Sequence, residues 1–289
     1  MPVDHKRTRS LFLKLGRIAQ RLAAEPRPED VHQFRTTTRR IEALFQEVVR
    51  DPDRKQRKLL KQLAKIRKRA GRVRDLDVQI SALRALTLGR DGQDKHALIA
   101  ALSTERAKYE KKLVSALSKD DLHDLRKRLR RAADDDRLYD TRCDPVAAAL
   151  SKFAVLARRH QEVNEATLHP YRLQCKRIRY LAEMAGKQPE AAAVVQQLKA
   201  IQDAAGEWHD WDNLTARAET LFAERPNAPL LAALRAVRHS KLVEALQVTG
   251  ASKEALLQMA AVSRPKPVRS APAGKRHVAP PSLTAAATA

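Results

Sequence analysis

Cysteine, glycine, aromatic residues and acids are all scarce in this 289-residue chain, and each scarcity removes a class of answer. The two cysteines, Cys143 and Cys175, lie far apart and in no C-x-x-C spacing. That argues against a disulfide framework or a thiolate zinc site and leaves cytosolic thiols as the default. Eight glycines and few β-branched runs, beside abundant Ala, Leu, Arg, Lys, Glu and Gln, leave little material for strands. Eleven Phe, Trp and Tyr residues, 4% of the chain, poorly support a platform for stacking single-stranded bases. No run reaches about 18 apolar residues, the length that would suggest a membrane span. The charged start, MPVDHKRTRS, leads into an amphipathic stretch, unlike a secretory leader. Catalytic signatures are also missing: no G-x-x-x-x-G-K-[ST], no G-x-S-x-G, no H-E-x-x-H and no alternating E-x-E-x-K. The reading is a soluble cytoplasmic protein, with nothing that argues for an enzyme, a cofactor or a metal.

The shortage of acid is the most informative. Lys+Arg number 57 against 34 Asp+Glu, a net +23 with a pI near 10.5, which implies a polyanionic partner or an anionic surface. Residues 263–289 carry five of the cations and no acid, so residues 1–262 keep +18. The excess belongs to the folded part, where length and 43% hydrophobic content suffice for a real core.

Helical periodicity runs almost throughout. Expected helices span about 4–24, 28–50 and 54–70, the last ended by Gly71 as a C-cap, with Asp75 and Asp77 opening a fourth that ends near Gly89. Others follow at about 95–117 and 122–133, then 146–165, a helix from Leu168, and 190–205, with further helices to about Val262. Residues 263–289, rich in Pro, Ala and Ser, are expected to form a disordered tail.

One stretch organises the chain. In LHPYRLQCKRIRYL, Leu168 to Leu181, the residues His169, Arg172, Lys176 and Tyr180 fall within an arc of about 80° of a helix, flanked by Arg177 and Arg179. Tyr171, Cys175, Ile178, Leu181 and Ala182 form the apolar far side. A near copy occurs at Val31 to Leu44, where His32, Arg35, Arg39 and Arg40 keep the same offsets. A third match to H-x-x-[KR]-x-x-x-[KR]-[KR] begins at His123, without the neighbours of the other two.

Gly71, Asp75 and Asp77 recur as Gly206, Asp210 and Asp212, a G-x-x-x-D-x-D element in each half. The histidine stripes are 137 residues apart and these elements 135, the signature of an internal duplication. The halves would be about 1–142 and 143–262.

Arginine forks, mobile lysines and donors near helix starts suit phosphate. A solvated basic face and neutral, hydrogen-bonded histidines are the alternatives. Were the histidines charged ligands, affinity would rise as pH falls through the histidine range. For G-x-x-x-D-x-D the structural reading is a helix end whose acids brace the neighbouring arginines, and divalent-cation binding is the alternative. Trp208 and Trp211 are read as packing anchors.

Together the stripes and the paired G-x-x-x-D-x-D elements resemble the CHAD family, the conserved-histidine α-helical domain. HPYRLQCKRIRYLAEM with LKAIQDAAGEWHDWDNL resembles its second half, and VHQFRTTTRRIEAL with LAKIRKRAGRVRDLDV its first, over roughly residues 5–262. The resemblance implies an all-α fold of two pseudo-symmetric antiparallel helical bundles whose basic helices line a central channel. It also implies non-enzymatic binding of long-chain inorganic polyphosphate, with association with polyphosphate granules in the cytoplasm as a corollary. The site residues would be His32, Arg35, Arg39, Arg40, His169, Arg172, Lys176, Arg177, Arg179 and Tyr180. Lys61, Lys65 and Arg69 from the third helix and Lys199 from its later counterpart complete the expected set. The first half departs from the second, with Glu42 opposite Arg179 and Ala43 opposite Tyr180. Two other readings remain open: non-specific RNA or DNA binding, which +23 would favour, and an accessory subunit of a phosphate-metabolising enzyme.

Overall fold

In the computed structural model, residues 5–47, 49, 51–87, 92–135, 144–186 and 188–262 are described; among them are nine α-helices and no strand. The all-α expectation holds. Cys143 and the expected tail, 263–289, lie outside the described residues.

The first half contains α1 (His5–Ala24), α2 (Pro28–Glu47), α3 (Arg54–Ala85), α4 (Gly92–Val114) and α5 (Lys119–Ala133). The second contains α6 (Pro145–Arg159), α7 (Glu165–Ala182), α8 (Pro189–Leu221) and α9 (Pro229–Val262). Local chemistry sets the starts. Asp53 accepts from the backbone of Lys55 and Gln56 while Gln56 reaches back, a capping box for α3. Asn164 and Thr167 do the same for α7. Asp144 caps α6 with Pro145 behind it, and Pro189 opens α8. The short 3₁₀ turn after α7 stops at Gly186, whose φ of 78° is one that L side chains rarely adopt.

Two expected helix ends do not occur. α3 runs through Gly71 and α8 through Gly206 without interruption, so the fourth expected helix is the second half of α3. Leu59, Leu63, Ile66, Ala70, Val73, Leu76, Ile80 and Leu83 keep helical phase across the glycine, and burying that stripe outweighs the roughly 1 kcal/mol a helical glycine costs.

Each half builds its own four-helix core. Phe12, Ile18, Phe34, Ile41, Phe45, Leu59, Leu63 and Leu125 join α1, α2, the start of α3 and α5. Phe153, Tyr171, Cys175, Ile178, Val194, Leu198 and Leu256 join α6, α7, the start of α8 and the end of α9. Cys175 is a buried free thiol whose pKa burial pushes up to about 12, as an inert core residue requires. A third core belongs to both halves: Leu76, Ile80 and Leu83 of α3 meet Leu98 and Leu102 of α4, Leu214 of α8, and Leu230 and Leu234 of α9.

With the far ends of α3 and α8 held together, α2 packs on α7 and α3 on α8. Arg40 Nε on α2 to Glu183 Oε2 beyond α7, 2.7 Å, and Lys152 on α6 to Glu47 on α2, 3.0 Å, also join the halves. No helix among the described residues is long and apolar enough to cross a membrane.

Candidate functional site

The polar sides of α2 and α7 face a seam whose other walls are α3 and α8. Arg35 Nη1 donates to Gly71 O at 2.9 Å and to Asp75 Oδ1 at 2.9 Å, one turn further along α3. Its counterpart Arg172 donates from Nε to Gln202 O on α8 at 3.1 Å, one turn before Gly206. Here Gly206 finds its reason. A Cβ at Gly206 would stand 2.8 Å from Arg172 Nη2, closer than such contacts occur, so the guanidinium would have to shift, whereas one at Gly71 would stand 3.8 Å from Arg35. Gly206 is a seat for a guanidinium.

The two aspartates of each element have separate duties. Asp75 holds Arg35, and Asp210 lies in the cavity beside Arg172. Asp77 clamps Arg106 of α4 at 2.5 Å, and Asp212 clamps Arg238 of α9 at 2.9 Å. Among the described residues, no group of three or more His, Cys, Asp or Glu is placed to hold a metal.

Between the four helices lies a cavity of about 170 Å³ lined by five cations, Arg35, Arg39, Arg74, Arg172 and Lys176. Asp75 and Asp210 are its acids, and His32, Thr36, Tyr180 and Gln202 complete the polar wall. A second cavity of about 370 Å³ shares Arg39, Lys176 and Tyr180 with the first and adds Arg67, Arg177 and Glu42. A third, about 500 Å³, shares Arg74, Val78 and Asp210 with the first. The three follow one another along the seam.

Crowding of like charge is strongest at Lys176. Burial first, then Arg172, Arg35, Arg39 and Arg179, push its ammonium pKa down to about 7. Asp210 is pushed up to about 6 because burial outweighs the pull of Arg172. His32 is lowered by burial and then by Arg74, and His169 by burial and then by Arg172. Tyr180 is 2% exposed, and its hydroxyl has no hydrogen-bond partner although it borders both cationic cavities. A buried, unsatisfied donor of this kind costs free energy unless a ligand accepts from it.

The sequence-expected residues divide by placement. His32, Arg35, Arg39, Arg172, Lys176, Arg177 and Tyr180 line the two cationic cavities. His169 does not; its ring lies against that of His209, 3.8 Å between centroids and tilted by 40°, and His209 is itself pushed down to about 4 by burial, His169 and Arg172. Arg179 is buried, its Nε donating to Gln202 Oε1 at 3.0 Å and its Nη1 paired with Glu183, so its guanidinium is committed inside the fold. Arg40 is the inter-half tie described above. Lys61 and Lys65 lie on the exposed face of α3, and Arg69 turns to the Lys112 carbonyl of α4 at 2.7 Å. Lys199 is exposed and paired with Asp203. None of these last four lines either cationic cavity. His123 is exposed on α5, on the outside of the first bundle.

Sequence reasoning missed Arg67 and Arg74, and Gln202 and His209 at the matching places on α8. The signal was present: Arg67, Gly71, Arg74, Asp75 and Val78 share one face of α3, visible only when the helix is allowed to continue through Gly71. Trp208 is buried with Leu168, Ala205 and Ala245, and Trp211 packs against the third core, as anchors should.

A family model described as the CHAD domain matches residues 11–219. Among solved structures, the CHAD domain from the plant Ricinus communis is 22% identical with a TM-score of 0.61, covering 88% of this chain and 94% of that one. PptA from Streptomyces chartreusis is 16% identical with a TM-score of 0.60, covering 90% and 99%. At these identities the likeness is one of fold. No curated protein matches the sequence.

Proposed function

The chain belongs to the CHAD domain family, and from that premise we propose that it binds long-chain inorganic polyphosphate, without catalysis, in the cationic seam between its halves. One observation carries the reading. Five cations from both halves converge on a cavity with two acids, and burial, followed by the repulsion of Arg172, Arg35, Arg39 and Arg179, lowers the pKa of Lys176 among them to about 7. Assembling such a site costs free energy that only a bound anion returns.

In this reading Arg35, Arg39, Arg74 and Arg172 give bidentate or charge-assisted hydrogen bonds to successive phosphates, and Lys176 supplies a proton-regulated point charge. Tyr180 donates its free hydroxyl, His32 stands at the rim, and Arg67 and Arg177 lead the chain into the second cavity. His169 lies against His209 outside the cavities, while Arg40 and Arg179 hold the walls. Lys61, Lys65, Arg69 and Lys199 add a diffuse field rather than contacts. Cavities in series suit a linear, featureless polyanion, held by ionic hydrogen bonds and counterion release. Residues 1–142 and 143–262 act together as one binding unit, and a cytoplasmic location at polyphosphate granules follows from the ligand.

A second reading has its own support. Lys55, Lys58, Lys61, Lys65 and Lys68 form an exposed row on α3 and have no ion-pair partner among the described residues, a surface to which nucleic acid would adhere without sequence preference. Competition decides between the two. Labelled polyphosphate at about physiological salt should resist tRNA and duplex DNA at equal phosphate concentration; equal displacement by all three would remove the polyphosphate claim.

A further inference from the structure

The third cavity differs in chemistry from the seam it continues. Past the shared Arg74 and Asp210 its wall is Val78, Ala82, Ala85, Leu86 and Trp211, with Ser81, Thr87 and Glu207 as its polar groups. Arg74 is its one cation, and Glu207 adds an acid whose Oε1 accepts from Lys241 at 3.1 Å. More phosphate would meet repulsion here and few donors. Instead, its volume of about 500 Å³ and its largely apolar wall with one aromatic face and a few polar groups describe a pocket for a compact, partly aromatic group. Trp211 is half-buried against the third core, so its ring is held rather than free to collapse into the space.

We propose that this chamber receives the nucleoside of a nucleoside oligophosphate whose phosphate tail lies in the cationic cleft. The base stacks on Trp211, the carboxylates of Glu207 and Asp210 accept from the sugar hydroxyls, and Arg74, at the boundary, contacts the phosphate nearest the sugar. The inference rests on the reading of the cleft as a phosphate site. It adds a second ligand class, phosphate chains carrying an organic end.

The chain has two tryptophans, and Trp208 is buried in a separate cluster, so ligand-induced quenching reports on Trp211. The test compares ATP with inorganic tripolyphosphate at one pH and salt concentration, without divalent cations. ATP should bind about tenfold more tightly than tripolyphosphate despite its lower charge, the range expected for stacking one base, and should quench fluorescence. Trp208→Phe should keep the quench. Trp211→Leu, and independently Ala85→Phe, which fills the chamber from α3, should each bring ATP to the affinity of tripolyphosphate and leave tripolyphosphate binding within about twofold. The inference is overturned if tripolyphosphate binds wild-type protein as tightly as ATP, or if the preference survives both substitutions. Long-chain polyphosphate serves as the control: bound, with no preference for ATP, it removes the nucleoside chamber alone; unbound, it removes the cleft reading as well.

Discussion

The two halves share a plan and differ in charge. Residues 1–142 carry 37 Lys+Arg against 21 Asp+Glu, and residues 143–262 carry 15 against 13. Yet the cationic cavities draw almost equally on both, Arg35, Arg39, Arg67 and Arg74 from the first half and Arg172, Lys176 and Arg177 from the second. The surplus of the first half sits outside, in rows such as Lys55, Lys58, Lys61, Lys65 and Lys68. Net charge describes the surface as a whole. Convergence and burial single out the cations that share one cleft.

A finer contrast explains the departure at Glu42. In the first half Glu42 on α2 pairs with Arg67 on α3 at 2.8 Å. In the second half the same two places hold Arg179 and Gln202, bonded at 3.0 Å. The helix pair is fastened both times, with the base on opposite helices. As a result the basic residue faces the cavity from α3 in one half and is sealed behind α7 in the other.

The comparison can be broken most forcefully at the cleft. Arg172→Glu with Lys176→Glu should weaken polyphosphate binding by about a hundredfold or more, since two ionic hydrogen-bonding groups are inverted. Lys61→Glu with Lys65→Glu, the same change of charge on the exposed row, should cost only a few-fold and mostly at low salt. Equal losses, measured by fluorescence anisotropy with helical circular dichroism as the control, would mean that the seam is not the site.

The paired glycines give the next largest difference. Gly206→Ala must dislodge the Arg172 guanidinium and should lower affinity by about tenfold. Gly71→Ala meets ordinary van der Waals contact and should raise stability by about 0.5–1 kcal/mol through helix propensity, with affinity unchanged.

The fastening swap makes a smaller, thermodynamic test. Glu42→Arg leaves two cations facing each other where both side chains are less than a quarter exposed, and should cost about 2–3 kcal/mol in urea unfolding. Adding Arg67→Gln rebuilds the pattern of the second half and should return most of that loss; no recovery in the double-mutant cycle would refute the equivalence.

The mildest effect is on pH. Above about 7 the empty cleft holds Lys176 mostly neutral, and a bound polyanion raises its pKa, so binding takes up a proton. Affinity should fall a few-fold from about pH 7 to about pH 9, and Lys176→Arg should flatten the profile. Without ligand the sign is opposite for stability. The folded pKa of Lys176 lies below its unfolded value of 10.5, so its contribution to stability is present above that value and is lost as pH falls towards about 7. His32 and His169, which the sequence suggested as the pH-sensitive groups, are lowered by burial and respond below their usual range.

Periodicity, duplication and charge were legible in the chain itself, because they are one-dimensional patterns. The helices, the paired stripes and the polycationic character follow from residue order and composition. What Gly206 does was not legible, because a helix break and a seat for an arginine leave the same letter in a sequence. Nor could order alone separate Arg179, sealed against Gln202 and Glu183, from Lys176, three residues earlier and open to the cleft. Both lie on one polar stripe. The packing of α7 on α8 decided that one cation would be a fastener and the other would face the cleft, since only tertiary structure sets which donors find partners within the fold and which do not.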